Sequence, residues 1–288
     1  MTIYLYKNCG IKLKINIKNV NVKTLEDFNL QDITEMWNRC WLGYYYNMAY
    51  KQEHMKAWLA LSQVSLSRSV AIFVDNRVVG FTLLSIDNKE GWIAGTCIDP
   101  DYRRNGLFTV LLRSQLNMAK SIFLKRIYLE VLEQNYARKI YQSVGFVDVR
   151  QLNVYRAQSI ADFNDKVLQI HPVALISVDE YFQNRNHAFF NPAWQRRERY
   201  LRRHGNLLAY INQTKTAGAL FAEEKSGLLL DLWSSNLAGT EEVLPTILQW
   251  SGASFSLTNQ PNDWISTFLR AHGINPSSKQ LEMFIELS

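Results

Sequence analysis

Cysteine is scarce in this sequence, and its few copies exclude several kinds of site. Cys9, Cys40 and Cys97 stand far apart in 288 residues. They have neither the close spacing of zinc ligands nor the even number that a disulfide framework requires. We therefore expect three reduced thiols and no metal centre.

The sequence also lacks a long apolar run. No stretch approaches the roughly 18 apolar residues of a membrane-spanning helix, and residues 1–7 contain no signal-peptide core. No low-complexity tract or long linker is present, and 47% hydrophobic with 20% charged residues are globular values. We expect a cytoplasmic protein with no membrane partner.

The net charge of +6 does not select a partner, because nucleic acid, anionic lipid and acidic ligands are all attracted by it. The densest basic segment is residues 196–204. As a helix it would spread arginine over several faces, which favours a solvated helix over an RNA-binding surface. We do not expect nucleic acid as a partner.

A strand, a glycine loop and a helix start follow one another over residues 98–108. Beyond Gly106 the apolar residues keep helical spacing at Phe108, Leu111, Leu112, Leu116 and Ala119. The first N–H groups of such a helix lack intrahelical partners and lie at the positive end of its dipole. The stretch therefore predicts an anion site that a phosphate fits.

A second strand follows at residues 129–132, and a short helix after it is closed by Gly145. Together the two segments resemble the GNAT superfamily of acyltransferases. In that superfamily the loop Gln/Arg-x-x-Gly-x-Gly/Ala binds the coenzyme A pyrophosphate, and Arg103, Gly106 and Phe108 occupy its defined positions. Phe108 departs from the pattern, and we expect its ring to pack inside the protein.

The resemblance implies acetyl-CoA as the cofactor. The cofactor-binding residues that it implies are Cys97, Ile98, Arg103, Arg104, Asn105, Gly106, Leu107, Phe108 and Asn135. Asn135 also departs from the family, because one residue separates it from Ala137 where the usual motif has two.

The resemblance further implies an acid and a base for an amine that attacks a thioester. Tyr141 is the candidate acid for the departing thiolate, and Glu130, in a Leu-Glu-Val strand, is the candidate base. A buried structural tyrosine and a strand glutamate paired with a neighbour are the alternatives. Glu53 and His54 are further candidate bases, although polar residues before a helical run are usually exposed.

The region after the first strand covers the acceptor in GNAT folds. Its aromatic residues Trp37, Trp41, Tyr44 and Tyr45 are therefore candidate substrate-binding residues, with a place in the core as the alternative for each of them.

Alternation predicts the strands of the first half. Residues 11–17 form the first strand, a helix begins near Leu30, and residues 70–74, 78–86 and 92–98 form an antiparallel meander. The fold class predicted is α/β with a mixed (α+β) sheet.

The second half partly repeats this pattern. Strands are predicted at 207–211, 216–223, 227–233 and 253–258, and helices at 241–250 and 263–272. Gly273 corresponds to Gly145, and counting back four residues from each glycine aligns Leu269 with Tyr141. Leucine cannot donate a proton. Residues 234–240 also lack the phosphate-loop spacing.

We therefore predict two GNAT-like domains in tandem, 1–156 catalytic and 157–288 degenerate, with coincidental α/β alternation as the alternative. The predicted function is acetyl transfer from acetyl-CoA to an amine of a small molecule or peptide, in a ternary complex. A catalytically silent acyl-CoA-binding module is the alternative, and a third is peptidyl transfer from aminoacyl-tRNA, against which the phosphate loop argues. A homodimer is left open.

Overall fold

The computed structural model describes residues 2–6, 12–16, 19–156, 169–188, 191–223 and 228–287. Its α-helices are α1 (Leu30–Cys40), α2 (Gln52–Ser62), α3 (Leu107–Ser121), α4 (Ala137–Ser143), α5 (Val178–His187), α6 (Glu198–Leu201), α7 (Leu237–Ser251) and α8 (Trp264–Ala271). Its strands are β1 (Thr2–Tyr6), β2 (Lys12–Asn16), β3 (Val20–Thr24), β4 (Val70–Val74), β5 (Arg77–Asp87), β6 (Glu90–Ile98), β7 (Arg126–Leu132), β8 (Val147–Arg156), β9 (Val173–Ile176), β10 (Leu207–Asn212), β11 (Ala217–Ala222), β12 (Leu228–Ser234), β13 (Ser256–Pro261) and β14 (Ser278–Glu286). In these described ranges, no helix has the length and apolar character needed to cross a membrane.

The chain forms two compact units, each built from segments that are separate in sequence. The first unit contains Met1–Leu129, Tyr136–Val147 and Met283–Ser288, and the second contains Glu130–Asn135 and Asp148–Glu282. The division predicted after residue 156 stays a prediction, since residues 157–168 lie outside the described ranges.

The first unit contains a mixed sheet, as predicted. Its strands follow the order β7-β6-β5-β4-β3. Neighbours from β3 to β6 are antiparallel, and β7 runs parallel to β6. Asp75 and Asn76 connect β4 to β5 with φ values of 49° and 64°, which is the geometry of a tight hairpin turn whose twist suits the strands.

The edge strand of this sheet differs from the prediction. The predicted first strand is present as β2, but it pairs with β1 in a separate two-stranded sheet, and β3 occupies the edge beside β4. Ile11 and Ile17 lie outside the described residues. Alternation predicts a strand with one wet face, but it does not identify the strand's partner.

Helix α1 buries one face, as its spacing predicts. Asn29 caps it by accepting from the N–H of Asp32 at 2.9 Å, and the Asp32 carboxylate accepts from the N–H of Asn29 at 3.1 Å. The predicted apolar positions Ile33, Met36, Trp37 and Cys40 are all buried.

The second unit contains a four-stranded sheet in the order β12-β11-β10-β9. Three of its strands match the predicted meander, whereas β9 and α5 were not predicted. Strand β9 consists of four apolar residues, and none of them is buried. Helix α7 begins four residues before the predicted start, because Asn236 caps it by accepting from the Gly239 N–H at 2.7 Å.

The basic segment 196–204 is not the single solvated helix that its composition predicts. It consists of α6 between two short 3₁₀ turns, Trp194–Arg196 and Arg202–His204. Arg196 is 2% exposed, because its guanidinium pairs with the fully buried Asp231 at 2.7 Å.

Candidate active site

Strands β6 and β7 run side by side for three residue pairs only. Glu90, Gly91 and Trp92 pair with Arg126, Ile127 and Tyr128. Beyond Trp92, within the described residues, β6 continues as Ile93–Ile98 without a β7 partner. The C-terminal half of β6 therefore offers backbone groups that are not used in a ladder on that side.

The loop after β6 presents the start of α3. Arg104 and Gly106 both have left-handed backbone conformations, with φ values of 65° and 74°. Gly106 is the N-cap of a 15-residue helix and has no side chain to satisfy the first N–H groups. A Cβ at Gly106 would meet no atom within 4 Å, so the open space and the unsatisfied amides fit the pyrophosphate of coenzyme A.

Asp99 holds this loop, and the sequence reasoning missed it. Its carboxylate is 2% exposed, accepts from Arg39 Nε at 2.9 Å and accepts from the Asp101 N–H at 3.1 Å. An aspartate before Pro100, directly after a strand, is the turn signal that could have identified it.

The side chains predicted around the phosphate point to other partners. Asn105 is 4% exposed and its Nδ2 donates to the carbonyl of Tyr102 at 2.9 Å. Leu107 is buried in the core. Arg103 donates to the carbonyl of Ile98 at 2.9 Å. Any phosphate contact from these positions is therefore a main-chain contact. Arg104 is exposed, so its guanidinium can reach a phosphate.

The ring of Phe108 packs inside the protein, as expected for this departure from the family pattern. It is half-buried against the apolar cluster that includes Ile72 and Leu111. It also meets the ring of Tyr141 edge to face, with centroids 5.6 Å apart.

Tyr141 is a buried phenol in α4. It is 5% exposed, and its ring also meets Phe146 edge to face at 5.6 Å. Burial raises the pKa of Tyr141 well above its ordinary value, and the neighbouring Tyr44 and Cys97 add to the rise. The phenol therefore stays protonated and can donate a proton at neutral pH.

Cys97 lies at the end of β6 that has no β7 partner. Its thiol donates to the carbonyl of Cys40 at 2.7 Å, and burial raises the pKa of Cys97 to about 11. At neutral pH the group is a thiol and not a thiolate, so it is a hydrogen-bond donor rather than a nucleophile.

The aromatic candidates separate into core and surface positions. Trp37 is 2% exposed and its ring meets four others, those of Trp41, Tyr50, Trp58 and Phe81. It belongs to the core, which is the alternative given for it, and its role in acceptor binding stays a prediction. Trp41 and Tyr44 are half-buried with rings 4.5 Å apart, and Tyr45 is 53% exposed. We call residues 41–50 the aromatic segment.

The remaining candidates are described singly. Glu130 is half-buried in β7, and Asn135 is half-buried and donates its N–H to the carbonyl of Leu132 at 2.9 Å. Both are grouped with the second unit, and their roles stay predictions. Glu53 and His54 are exposed on α2, as polar residues before an apolar run are expected to be.

The second unit repeats the helix end that carries Tyr141. The N–H of Phe146 donates to the carbonyl of Tyr141 at 3.1 Å after α4, and the N–H of Ile274 donates to the carbonyl of Leu269 at 2.8 Å after α8. Leu269 is fully buried. The repeat thus keeps the backbone geometry and replaces the phenol with an alkyl group.

Strands β12 and β13 correspond in chain order to β6 and β7, and they lie in different sheets of the described chain. The guanidinium of Arg196 lies between them. It donates to the carbonyl of Leu232 at 2.6 Å and to the side chain of Gln260 at 2.5 Å. Asp231, on β12, pairs with it at 2.7 Å.

Further buried groups complete this cluster. Arg185 pairs with Asp231 at 3.0 Å, and the Tyr181 hydroxyl donates to the same carboxylate at 2.9 Å. Burial lowers the pKa of Arg185, which Asp231 partly counteracts. In the second unit, a charged network therefore fills the space between the strands that correspond to β6 and β7.

Known proteins are similar to this chain in sequence. Residues 30–146 match the model of the acetyltransferase (GNAT) family. An N-alpha-acetyltransferase of Saccharolobus solfataricus is 30% identical over 166 residues, which are 52% of this chain and 93% of the relative.

Solved structures share the fold over nearly the whole chain. A Pyrococcus horikoshii protein described as an acetyltransferase superposes with a TM-score of 0.68 at 15% identity, over 95% of this chain and 92% of that one. A tandem GNAT protein from the clavulanic acid biosynthesis pathway gives 0.58 at 13% identity, over 94% and 99%. The tandem architecture predicted from the sequence is confirmed.

Proposed function

This chain belongs to the acetyltransferase (GNAT) family of acyltransferases, and we propose that it transfers the acetyl group of acetyl-CoA to the α-amine of a peptide. The transfer proceeds by direct attack in a ternary complex. Small-molecule amines are the second class of acceptor.

One observation carries the proposal. The first unit places a buried, protonated phenol, Tyr141, beside Cys97 at the end of β6 that has no β7 partner, where a linear ligand can pair with the strand. A phenol with a raised pKa keeps its proton until a stronger base, such as a departing thiolate, develops next to it.

The acceptor class is supported by relatives and by the surface. Two similar proteins are described as an N-alpha-acetyltransferase and a ribosomal protein bS18-alanine N-acetyltransferase, at 30% and 27% identity. The aromatic segment exposes the apolar side chains of Leu42, Tyr45 and Tyr46, which suit the first side chains of a peptide better than a small charged amine.

The chain's residues divide the work as follows. Bound acetyl-CoA supplies an acyl group activated as a thioester. The N–H groups at the start of α3, from Gly106 onwards, bind the pyrophosphate through the backbone. Tyr141 holds a proton at its hydroxyl for the leaving group, and Glu130 accepts the proton of the amine, directly or through water.

The experiment compares peptides that differ only at the N-terminus. Purified protein is incubated with acetyl-CoA and a peptide that has a free α-amine, an N-blocked peptide with lysine, or a small diamine. Free thiol is measured and the product is mapped by mass spectrometry. Acetylation of the free α-amine alone supports the proposal, and acetylation of lysine or the diamine alone overturns the acceptor class. Coenzyme A binding without turnover of any acceptor favours the silent binding module instead.

A further inference from the structure

The guanidinium of Arg103 is engaged by main-chain carbonyls and not left free for a phosphate. Its Nε donates to the carbonyl of Ile98 at 2.9 Å. Its Nη2 donates to the carbonyls of Cys40 at 2.9 Å and Leu42 at 3.1 Å. The arginine thus connects three backbone positions with one rigid, permanently charged group.

These three carbonyls belong to different functional elements. Ile98 ends β6, Cys40 ends α1, and Leu42 lies at the start of the aromatic segment. The last carbonyls of a helix have no intrahelical partner and carry the negative end of its dipole. A cation at that point satisfies them and links the end of α1 to the phosphate loop.

Side chains of α1 hold the far end of the aromatic segment. Trp37 Nε1 donates to the carbonyl of Met48 at 2.6 Å, and the Asn38 side chain exchanges two hydrogen bonds with the backbone of Tyr50, at 2.8 and 2.9 Å. The near end of the segment is bonded instead by Arg103, which connects Leu42 to Ile98 at the end of β6.

The same arginine stands next to the groups around the candidate acid. Its Nη2 lies 3.8 Å from the Cys97 sulfur. Tyr44, in the aromatic segment, interacts electrostatically with Tyr141, and its ring meets that of Trp41 at 4.5 Å. A shift of Leu42 would carry Tyr44 with it, because only Gly43 separates them along the chain.

We propose that Arg103 is a positioning residue, which holds the aromatic segment against the end of β6 and so sets acceptor binding rather than cofactor binding. This inference rests on the proposed acetyl transfer. It assigns to the first residue of the phosphate-loop pattern a task at the acceptor side of the site.

The kinetic test uses Arg103→Gln and Arg103→Lys. Lysine keeps the positive charge but lacks the planar guanidinium that donates to several carbonyls at once, so Arg103→Lys should retain part of the acceptor binding. We expect Arg103→Gln to raise the acceptor KM about tenfold or more. The affinity for coenzyme A, measured by calorimetry, should stay within about twofold. Arg113→Gln, on the exposed face of α3, should leave both unchanged.

The opposite pattern overturns the inference. A tenfold loss of coenzyme A affinity with an unchanged acceptor KM would make Arg103 a phosphate ligand, and no change in either quantity would remove any role. Arg104→Gln provides a comparison within the same loop, because its exposed side chain should affect coenzyme A affinity.

A second measurement separates this inference from the proposed function. Amide hydrogen exchange over residues 41–46 should be faster in Arg103→Gln than in the unaltered chain and in Arg113→Gln. If the unaltered chain acetylates no amine but this exchange increases, the proposed function fails and the anchoring stands. If the unaltered chain is active and the exchange does not change, the anchoring fails.

Discussion

The two units share a strand, helix, strand, helix order and treat the space between the two strands differently. In the first unit, β6 leaves β7 after three pairs, and a thiol, a phenol and an aromatic ring lie near the end of β6 that has no β7 partner. The guanidinium of Arg103 bonds the carbonyl of Ile98 at that end. In the second unit, the guanidinium of Arg196 bonds both β12 and β13, and Asp231 neutralises part of its charge.

The two units share backbone geometry and differ in the side chains between the strands. The helix ends retain the same backbone bond at Tyr141 and at Leu269. The two units differ in what lies between the strands. In the second unit Arg196 has hydrogen-bond partners on both strands, so the unit depends on that network for its stability.

Removal of Arg196 should have the largest effect. Arg196→Met leaves Asp231 in the core with one partner fewer, so the free energy of unfolding should fall by about 3 kcal/mol or more. Arg202→Met removes exposed ion pairs with Asp179 and Glu198 and the contact of the guanidinium with the Phe182 ring, and it should cost about 1 kcal/mol or less. Urea unfolding measures both. Equal losses of unfolding free energy in the two variants would contradict the expected difference between buried and exposed ion pairs.

Loss of the phenol should be nearly as large an effect, but in the first unit. Tyr141→Phe keeps the buried ring and removes the proton donor, so kcat should fall about a hundredfold with little change in either KM. Tyr136→Phe, one residue before the same helix and 70% exposed, is the matched control. Turnover that survives Tyr141→Phe would remove the proposed acid.

A methyl group at the phosphate loop should have a smaller effect. Gly106→Ala meets no protein atom but strains a backbone with φ of 74° and narrows the cradle, so the coenzyme A Kd should rise about tenfold. Gly273→Ala has nearly the same φ of 81° and equally open space in the second unit. Gly273→Ala should lower the free energy of unfolding by a similar amount and leave the coenzyme A affinity unchanged. Calorimetry should also give one coenzyme A bound per chain. Binding of a second coenzyme A would contradict the expected difference between the two units.

The buried thiol should produce the smallest effect. Burial raises the pKa of Cys97 from 9.0 to about 11, so the unfolded chain releases this proton first as pH rises. The stabilisation is complete below pH 9 and is lost between pH 9 and 11, with a loss of roughly 1 kcal/mol at pH 10. Cys97→Ser keeps a donor for the Cys40 carbonyl and removes the titration. Its unfolding free energy should therefore fall less from pH 7 to pH 10, and identical profiles would contradict the assignment.

Several site features could be predicted because they depend on neighbours along the chain. The glycine loop, the start of α3 and the helix that carries Tyr141 all follow from spacing, capping and turn chemistry within about ten residues. The meander of β4, β5 and β6 follows from alternation and from the turn residues between the strands.

Other features could not be predicted because their partners are distant in sequence. Arg103 bonds Cys40 and Leu42 about sixty residues away. Arg196 meets Asp231 and Gln260, which lie 35 and 64 residues away. A row of arginines predicts exposed side chains, because unpaired charges avoid the core. Arg196 is buried because the folded chain brings the carboxylate of Asp231 next to it.

Local order alone was sufficient to establish the family resemblance, the mixed sheet and the phenol at the end of α4. Only the folded chain shows that β6 separates from β7 after three residue pairs and that Arg196 lies between β12 and β13. The reason is that periodicity and caps act over a few residues, whereas burial of a charge requires partners from several elements at once.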